Sequence, residues 1–234
     1  MSASPPFLLV HGAANSARVW TYWRAALAAH GVTADALDLR GHGDGPRADL
    51  AHTAMADYAD DVRRAIDRLG TPPVLVGWSM GGLAALMAAA RGGAHACVGL
   101  APSTPATKRD PRVPLRPGVF GPEAYGIVDR DPDRQDAMMP DLDRDERLIA
   151  LASLGPESLL ARDDRQAGIV LARLPCPLLI VVGTQDRQWP RSRYADLPLT
   201  SDWLEADASH WGLVLSRRCL RELVPAVLAW VARH

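Results

Sequence analysis

One stretch limits the possible folds more than any other: Pro72-Pro73-Val74-Leu75-Val76-Gly77-Trp78-Ser79-Met80-Gly81-Gly82-Leu83-Ala84-Ala85-Leu86-Met87. A short apolar, β-branched run enters Gly77-x-Ser79-x-Gly81 and leaves as an alanine-rich segment of high helix propensity. The pattern is strand, sharp turn, helix, with a serine at the apex. Side chains two positions either side of such an apex would collide with the strand and the helix, which explains the two glycines. The geometry lifts the Ser79 hydroxyl above the sheet edge. It also aims the Met80 N–H, in the first helical turn, at the place where an oxyanion would form.

The rest of the chain supplies further strand–helix units. Apolar runs centred on Leu8, Ala36, Leu75, Val98, Ile180 and Leu204 read as six strands. Helical patterns cover Val19 to His30, closed by Gly31, and Met55 to Leu69, closed by Gly70. A last helix runs from Ser216 towards Trp230, with an interruption or kink expected at Pro225. Strands alternating with helices predict an α/β fold with a doubly wound, mostly parallel sheet. Between Pro102 and Leu174 the pattern changes. Eight prolines break the chain before Asp141, and helical alternation returns over Asp143–Leu154 and Pro156–Leu174.

A serine hydroxyl needs a base within hydrogen-bond reach, itself oriented by a third group. Asp186 follows the strongest late strand directly, in Gly183-Thr184-Gln185-Asp186, and His210 follows the last short strand. In the α/β-hydrolases, which the chain resembles in these motifs, the nucleophile, acid and histidine follow one another in the order of Ser79, Asp186 and His210. His30 and His52 lie at helix ends, His95 precedes a strand and His234 is terminal. The loop after the strand near Val98 reads Ala101-Pro102-Ser103-Thr104 and holds no competing carboxylate. Asp207 is read as a turn residue.

With these motifs the chain resembles the α/β-hydrolase superfamily, of serine esterase type, over most of its length. The resemblance implies a single domain over 1–234, in a minimal version of the fold with about six strands and a lid insertion over 102–174. It also implies that the loop after the first strand, His11-Gly12-Ala13-Ala14, supplies the second oxyanion donor, with the N–H of Ala13 first and Ala14 as the alternative. Asp38-Leu39-Arg40-Gly41-His42-Gly43 is similar to a turn common in these hydrolases, and Arg40, His42 and His11 are read as structural. Serine at position 79 sets the chain apart from the branches that use an aspartate nucleophile. His11-Gly12-Ala13, Val19-Trp20, Leu37-Asp38-Leu39 and Asp57-Tyr58 carry a looser resemblance to the methyl esterase and hydroxynitrile lyase branch. The lyases have a threonine where this chain has Gly12 and a lysine where it has Trp211, so ester hydrolysis is expected over cyanohydrin cleavage.

The expected activity is hydrolysis of small to medium carboxylic esters through an acyl-enzyme, with no cofactor and no metal. A thioesterase on acyl carriers, a non-hydrolytic relative such as a lyase or perhydrolase, and a ligand-binding receptor on the same fold remain open alternatives. A net charge of −1 gives no electrostatic case for nucleic acid or an anionic membrane. No apolar run reaches the ~18 residues of a membrane span, and residues 1–6 lack the pattern of a signal peptide. Cys97, Cys176 and Cys219 are odd in number and sit in apolar surroundings, as buried free thiols of a reducing compartment do. The expectation is a cytoplasmic protein, monomeric or a small homo-oligomer, whose partner is a small-molecule ester. Arg109, Arg112, Arg116 and Arg130 are interspersed with aspartates and are read as a solvated surface rather than an anion site.

Overall fold

The computed structural model describes residues 4–234. Its strands are β1 (Phe7–Val10), β2 (Ala34–Leu37), β3 (Val74–Trp78), β4 (Ala96–Leu100), β5 (Val119–Phe120), β6 (Glu157–Ser158), β7 (Leu178–Gly183) and β8 (Asp202–Ala206). Six of them form one sheet in the order β2-β1-β3-β4-β7-β8, and every neighbouring pair is parallel. These are the six strands expected from the apolar runs.

Register explains why the runs of the four central strands, β1, β3, β4 and β7, are continuous rather than alternating. Leu9 pairs with Val76, Val76 with Val98, and Val98 with Leu179, so this row points to one face of the sheet. The row Leu8, Leu75, Cys97 and Leu178 points to the other. Both faces are covered, so both sets must be apolar. The first face packs against α1 (Thr21–Ala29) and the C-terminal helices, with Trp23, Leu27, Leu220, Val224 and Val227 buried. The second packs against α2 (Met55–Leu69) and α3 (Met80–Ala89). Nine of the ten residues of α3 are buried, which suits its small alanine and glycine side chains to the tight space under α2.

The helix ends follow local chemistry. The Asp57 carboxylate accepts the Ala54 N–H at 2.9 Å, opening α2, and Gly70 closes it at φ +68°. The helix expected over Val19–His30 is a 3₁₀ turn, Ala17–Trp20, that runs into α1.

Between β4 and β7 the chain forms the antiparallel pair β5–β6, α4 (Arg144–Ala152) and α5 (Leu159–Ala167), with one-turn elements at Pro122–Tyr125 and Pro132–Arg134. Helix was expected from Pro156, but Glu157 and Ser158 pair as strand with β5. Ser158 then caps α5 by accepting the Ala161 N–H at 3.1 Å. Arginine–carboxylate pairs tie the segment together: Arg109 to Asp164 at 2.6 Å, Arg116 to Asp163 at 2.7 Å and Arg147 to Asp136 at 2.6 Å.

After β8 come α6 (Gly212–Leu215) and α7 (Arg217–Val231). Ser216 caps α7, and Pro225 does not end it. Proline costs a mid-helix about 3 kcal/mol, and the burial of Leu220, Leu223, Val224, Val227 and Trp230 along α7 outweighs that cost. Cys97 and Cys219 are buried free thiols, whereas Cys176 is only partly buried. Among the described residues no helix is long and apolar enough to cross a membrane.

Candidate active site

The sheet order turns between β1 and β3, whose following connections lead to opposite sides. A crevice therefore opens at their carboxyl ends, where open α/β sheets bind ligands. Ser79 stands there at φ +54°, ψ −121°, a strained backbone for a residue with a side chain. Three backbone hydrogen bonds hold it: its N–H donates to Leu100 O at 3.0 Å, and its carbonyl accepts from Gly82 N at 3.0 Å and Ser103 N at 2.8 Å. A Cβ on Gly77 would lie 2.5 Å from Gly81 O, and one on Gly81 would collide with His11 O. The two glycines are thus explained by close backbone approach.

Across the crevice, the loops after β7 and β8 bring Asp186 and His210 together. His210 Nδ1 donates to Asp186 Oδ2 at 2.6 Å, which leaves Nε2 as the free ring nitrogen. Asp186 Oδ1 accepts from the N–H groups of Gln188 and Trp189 at 2.8 and 2.9 Å. Burial alone would raise the Asp186 carboxyl. The His210 hydrogen bond and charge, with those two amides, outweigh it and hold the group below the usual carboxylate range. Ser79 and His210 border one cavity of about 90 Å³. Among the described residues no hydrogen bond joins the two side chains.

Trp78, read in sequence only as the variable position of the turn, fixes the histidine loop. Its Nε1 donates to His210 O at 3.1 Å, and its ring lies against the His210 ring at 5.1 Å between centroids and against Trp211 at 4.9 Å.

The loop after β1 separates the two oxyanion candidates. Ala14, at φ +56°, donates its N–H to Glu157 Oε2 at 2.9 Å and is occupied. The Ala13 carbonyl is held by Asn15 Nδ2 at 2.8 Å. Among the described residues neither the Ala13 N–H nor the Met80 N–H, the latter in the first turn of α3, has a hydrogen-bond acceptor.

Behind this loop lies a buried polar cluster that sequence reading missed. Glu157, fully buried on β6, accepts from Tyr58 Oη at 2.6 Å and Ser158 N at 2.7 Å, and faces His42 Nε2 at 3.4 Å. His42 Nδ1 donates to Arg40 O at 3.0 Å, so both ring nitrogens face acceptors and an imidazolium fits. Burial alone would disfavour both charges. The pairing outweighs it, lowering Glu157 to about 2 and raising His42. His11 is the opposite case. Burial and the neighbouring His42 lower it to about 4, and the neutral ring donates from Nδ1 to Gly12 O at 2.8 Å while Nε2 accepts the Leu39 N–H at 3.2 Å. Arg40 ties the turn to α2 through Asp57 and Asp61. His11, Arg40 and His42 therefore have the structural parts expected of them, and Asp207 is a surface partner of Gln185 and Arg218.

The sequence matches the profile of the alpha/beta hydrolase family over residues 7–221. The chain belongs to that family. A curated relative, protein phosphatase methylesterase 1 of Mus musculus, is 38% identical over 94 residues, which cover 38% of this chain and 24% of that protein's length. Solved structures share the fold of this chain across nearly all of it. Tomato methylketone synthase I complexed with 2-tridecanone superposes with a TM-score of 0.76 at 19% identity, covering 99% of each chain. Polyneuridine aldehyde esterase gives 0.72 at 18%, covering 97% of this chain and 99% of its own. A methylesterase from Arabidopsis gives 0.70 at 16%, covering 97% of this chain and all of its own.

Proposed function

We propose that this α/β hydrolase cleaves a small carboxylic ester by acyl transfer through Ser79, with His210 as general base and Asp186 as its orienting acid. The observation that carries the reading is the His210 ring, held by Asp186 at 2.6 Å, on the wall of the cavity that the strained Ser79 borders. Asp186 keeps the proton on Nδ1, so Nε2 takes the Ser79 proton as Oγ attacks the ester carbonyl. The imidazolium that forms is stabilised by the Asp186 charge and then protonates the leaving alcohol. Water attacks the acyl-enzyme by the same route in reverse.

The developing oxyanion is received by the N–H groups of Ala13 and Met80. Each such donor is worth roughly 3 kcal/mol in a water-poor site. Ala14 is excluded from this part because Glu157 already takes its N–H. The reaction needs no cofactor and no metal. Cavity walls of Trp78, Ile127, Met138, Leu154, Trp189 and Trp211 suit a compact apolar group beside the scissile bond. Segment 102–174 contributes Ile127, Met138 and Leu154 to those walls and is proposed as the lid that sets substrate shape.

Ester rather than cyanohydrin cleavage is supported at two positions. Gly12 offers no hydroxyl, and Trp211 is an uncharged, buried residue whose ring lies tilted against Trp78. Three of the four relatives named above are esterases by name, and methylketone synthase I is not. The free thiols fit a cytoplasmic setting. The test is labelling by a fluorophosphonate together with turnover of p-nitrophenyl esters of graded chain length. Wild type should label and favour short acyl chains, and Ser79→Ala should do neither while keeping its circular dichroism. Labelling that persists in the folded variant would remove Ser79 from the mechanism.

A further inference from the structure

Most arginines of segment 102–174 are spoken for by a carboxylate, and the arginine that lines the cavity, Arg165, is not. Arg40, Arg112 and Arg116 each present Nε and Nη2 to an aspartate, the side-on fork that matches two carboxylate oxygens. Arg165, on α5, lines the cavity that Ser79 and His210 border. Its Nη2 meets only the Tyr125 hydroxyl at 3.1 Å, and its Nη1 only Ser103 Oγ at 3.4 Å. Its Nε is buried with no partner. Among the described residues no carboxylate pairs with it. The two acids beside it on α5 are already engaged, Asp163 by Arg116 and Asp164 by Arg109.

A buried donor left unpaired is unfavourable, and an unpaired guanidinium beside an apolar cavity more so. The obvious internal counterion would be Glu157. That carboxylate already has three donors and the His42 charge, so the Glu157–His42 pair is neutral as a unit. Arg165 is then an unbalanced positive charge on the substrate side. It is also close to the proposed chemistry. Ser103, which holds the Ser79 carbonyl through its N–H, holds Arg165 Nη1 through its hydroxyl, so a single residue links the two.

Building on the esterase reading, we infer that Arg165 binds a carboxylate carried by the substrate, which would make the substrate the monoester of a short dicarboxylic acid. The carboxylate takes the place of the Tyr125 hydroxyl and accepts from Nε and Nη2, as the aspartates do on Arg40, Arg112 and Arg116. The small cavity and the short Ser79–Ser103–Arg165 link limit the spacer between the carboxylate and the scissile ester to a few carbons. Tyr125, on the one-turn element Pro122–Tyr125 of the proposed lid, is then a gate on the anion site.

The experiment compares monomethyl glutarate with methyl pentanoate, a neutral ester of similar length, on the whole protein. Wild type should prefer the half-ester in kcat/KM. In Arg165→Met that preference ratio should fall about ten- to a hundred-fold, the worth of a charge-assisted fork, and Arg165→Lys should recover part of it. An unchanged ratio, with methyl pentanoate still hydrolysed in a Ser79-dependent way, overturns the anion site and leaves the esterase reading standing. Calorimetric titration of Ser79→Ala with monomethyl glutarate separates the other case. Saturable binding that is lost on adding Arg165→Met supports the site even if no ester turns over, and no binding to Ser79→Ala refutes it.

Discussion

Replacing Glu157 by glutamine tests whether the buried pair with His42 holds the β1 loop. Oε1 accepts from Tyr58 and Ser158, and Oε2 accepts from Ala14 and faces His42. Glutamine keeps the shape, but whichever oxygen becomes the amide nitrogen then meets two donors. At least one hydrogen bond is lost, that of Ala14 or of Ser158, and the His42 charge has no counterion. Breaking a buried pair from one side costs about 3–5 kcal/mol, of which one unpaired buried donor accounts for about 1–3 kcal/mol. At about 2–4 °C per kcal/mol for a domain of this size, a loss near 4 kcal/mol lowers Tm by roughly 8–16 °C. The effect depends on pH in a defined direction. Glu157 lies below its ordinary 4.5, so its contribution is present above pH 4.5 and is lost as pH falls through about 2. His42 lies above 6.5, so its contribution is full below pH 6.5 and is lost as pH rises through its folded value. Scanning calorimetry of wild type and variant should therefore show the widest gap between pH 4.5 and 6.5, narrowing on both sides. A variant melting within about 2 °C of wild type across that window would refute the pairing argument.

Three further outcomes are expected. Asp186→Asn keeps the geometry but favours the wrong His210 tautomer, so steady-state ester kinetics should show kcat lower by roughly 10⁴; near wild-type turnover would mean that another group orients His210. In hydrogen exchange followed by mass spectrometry, segment 102–174 should exchange faster than β3 and β7, and equal protection would argue for a rigid subdomain rather than a lid. A Cβ on Gly12 would lie 2.8 Å from Trp78 Cε3, so Gly12→Thr must displace the ring that packs on His210. It should lose about 1–3 kcal/mol of stability and ester turnover without gaining mandelonitrile cleavage, and release of benzaldehyde would contradict the reading of that position.

Local physics made much of this protein legible in its sequence. Both faces of the sheet centre are covered, so β1, β3, β4 and β7 had to be unbroken apolar runs, and the two half-exposed edge strands, β2 and β8, were readable beside them. The close approach of Gly77 and Gly81 to neighbouring backbone left the glycine spacing around Ser79 as a visible trace. Asp186 and His210 stood out because each directly follows a strand, and the structure brings them within 2.6 Å. An interruption or kink is expected at Pro225, and α7 runs on through it because burial along the helix, which no local rule for proline contains, keeps it continuous.

Tertiary structure alone decided the partners. Ala14 and Glu157 are 143 residues apart, so no periodicity could show that this contact occupies the Ala14 N–H and leaves that of Ala13 open. Nor could composition distinguish Arg165 from the arginines around it. Arg109 and Arg116, read as surface residues, turned out to hold Asp164 and Asp163, and only that assignment leaves Arg165 without a counterion at the cavity. Propensity and turn chemistry act over a few residues and so are written in order along the chain. Charge pairing is settled by proximity in space: Asp163 and Asp164 have Arg162 and Arg165 beside them in sequence, yet the fold gives them Arg116 and Arg109.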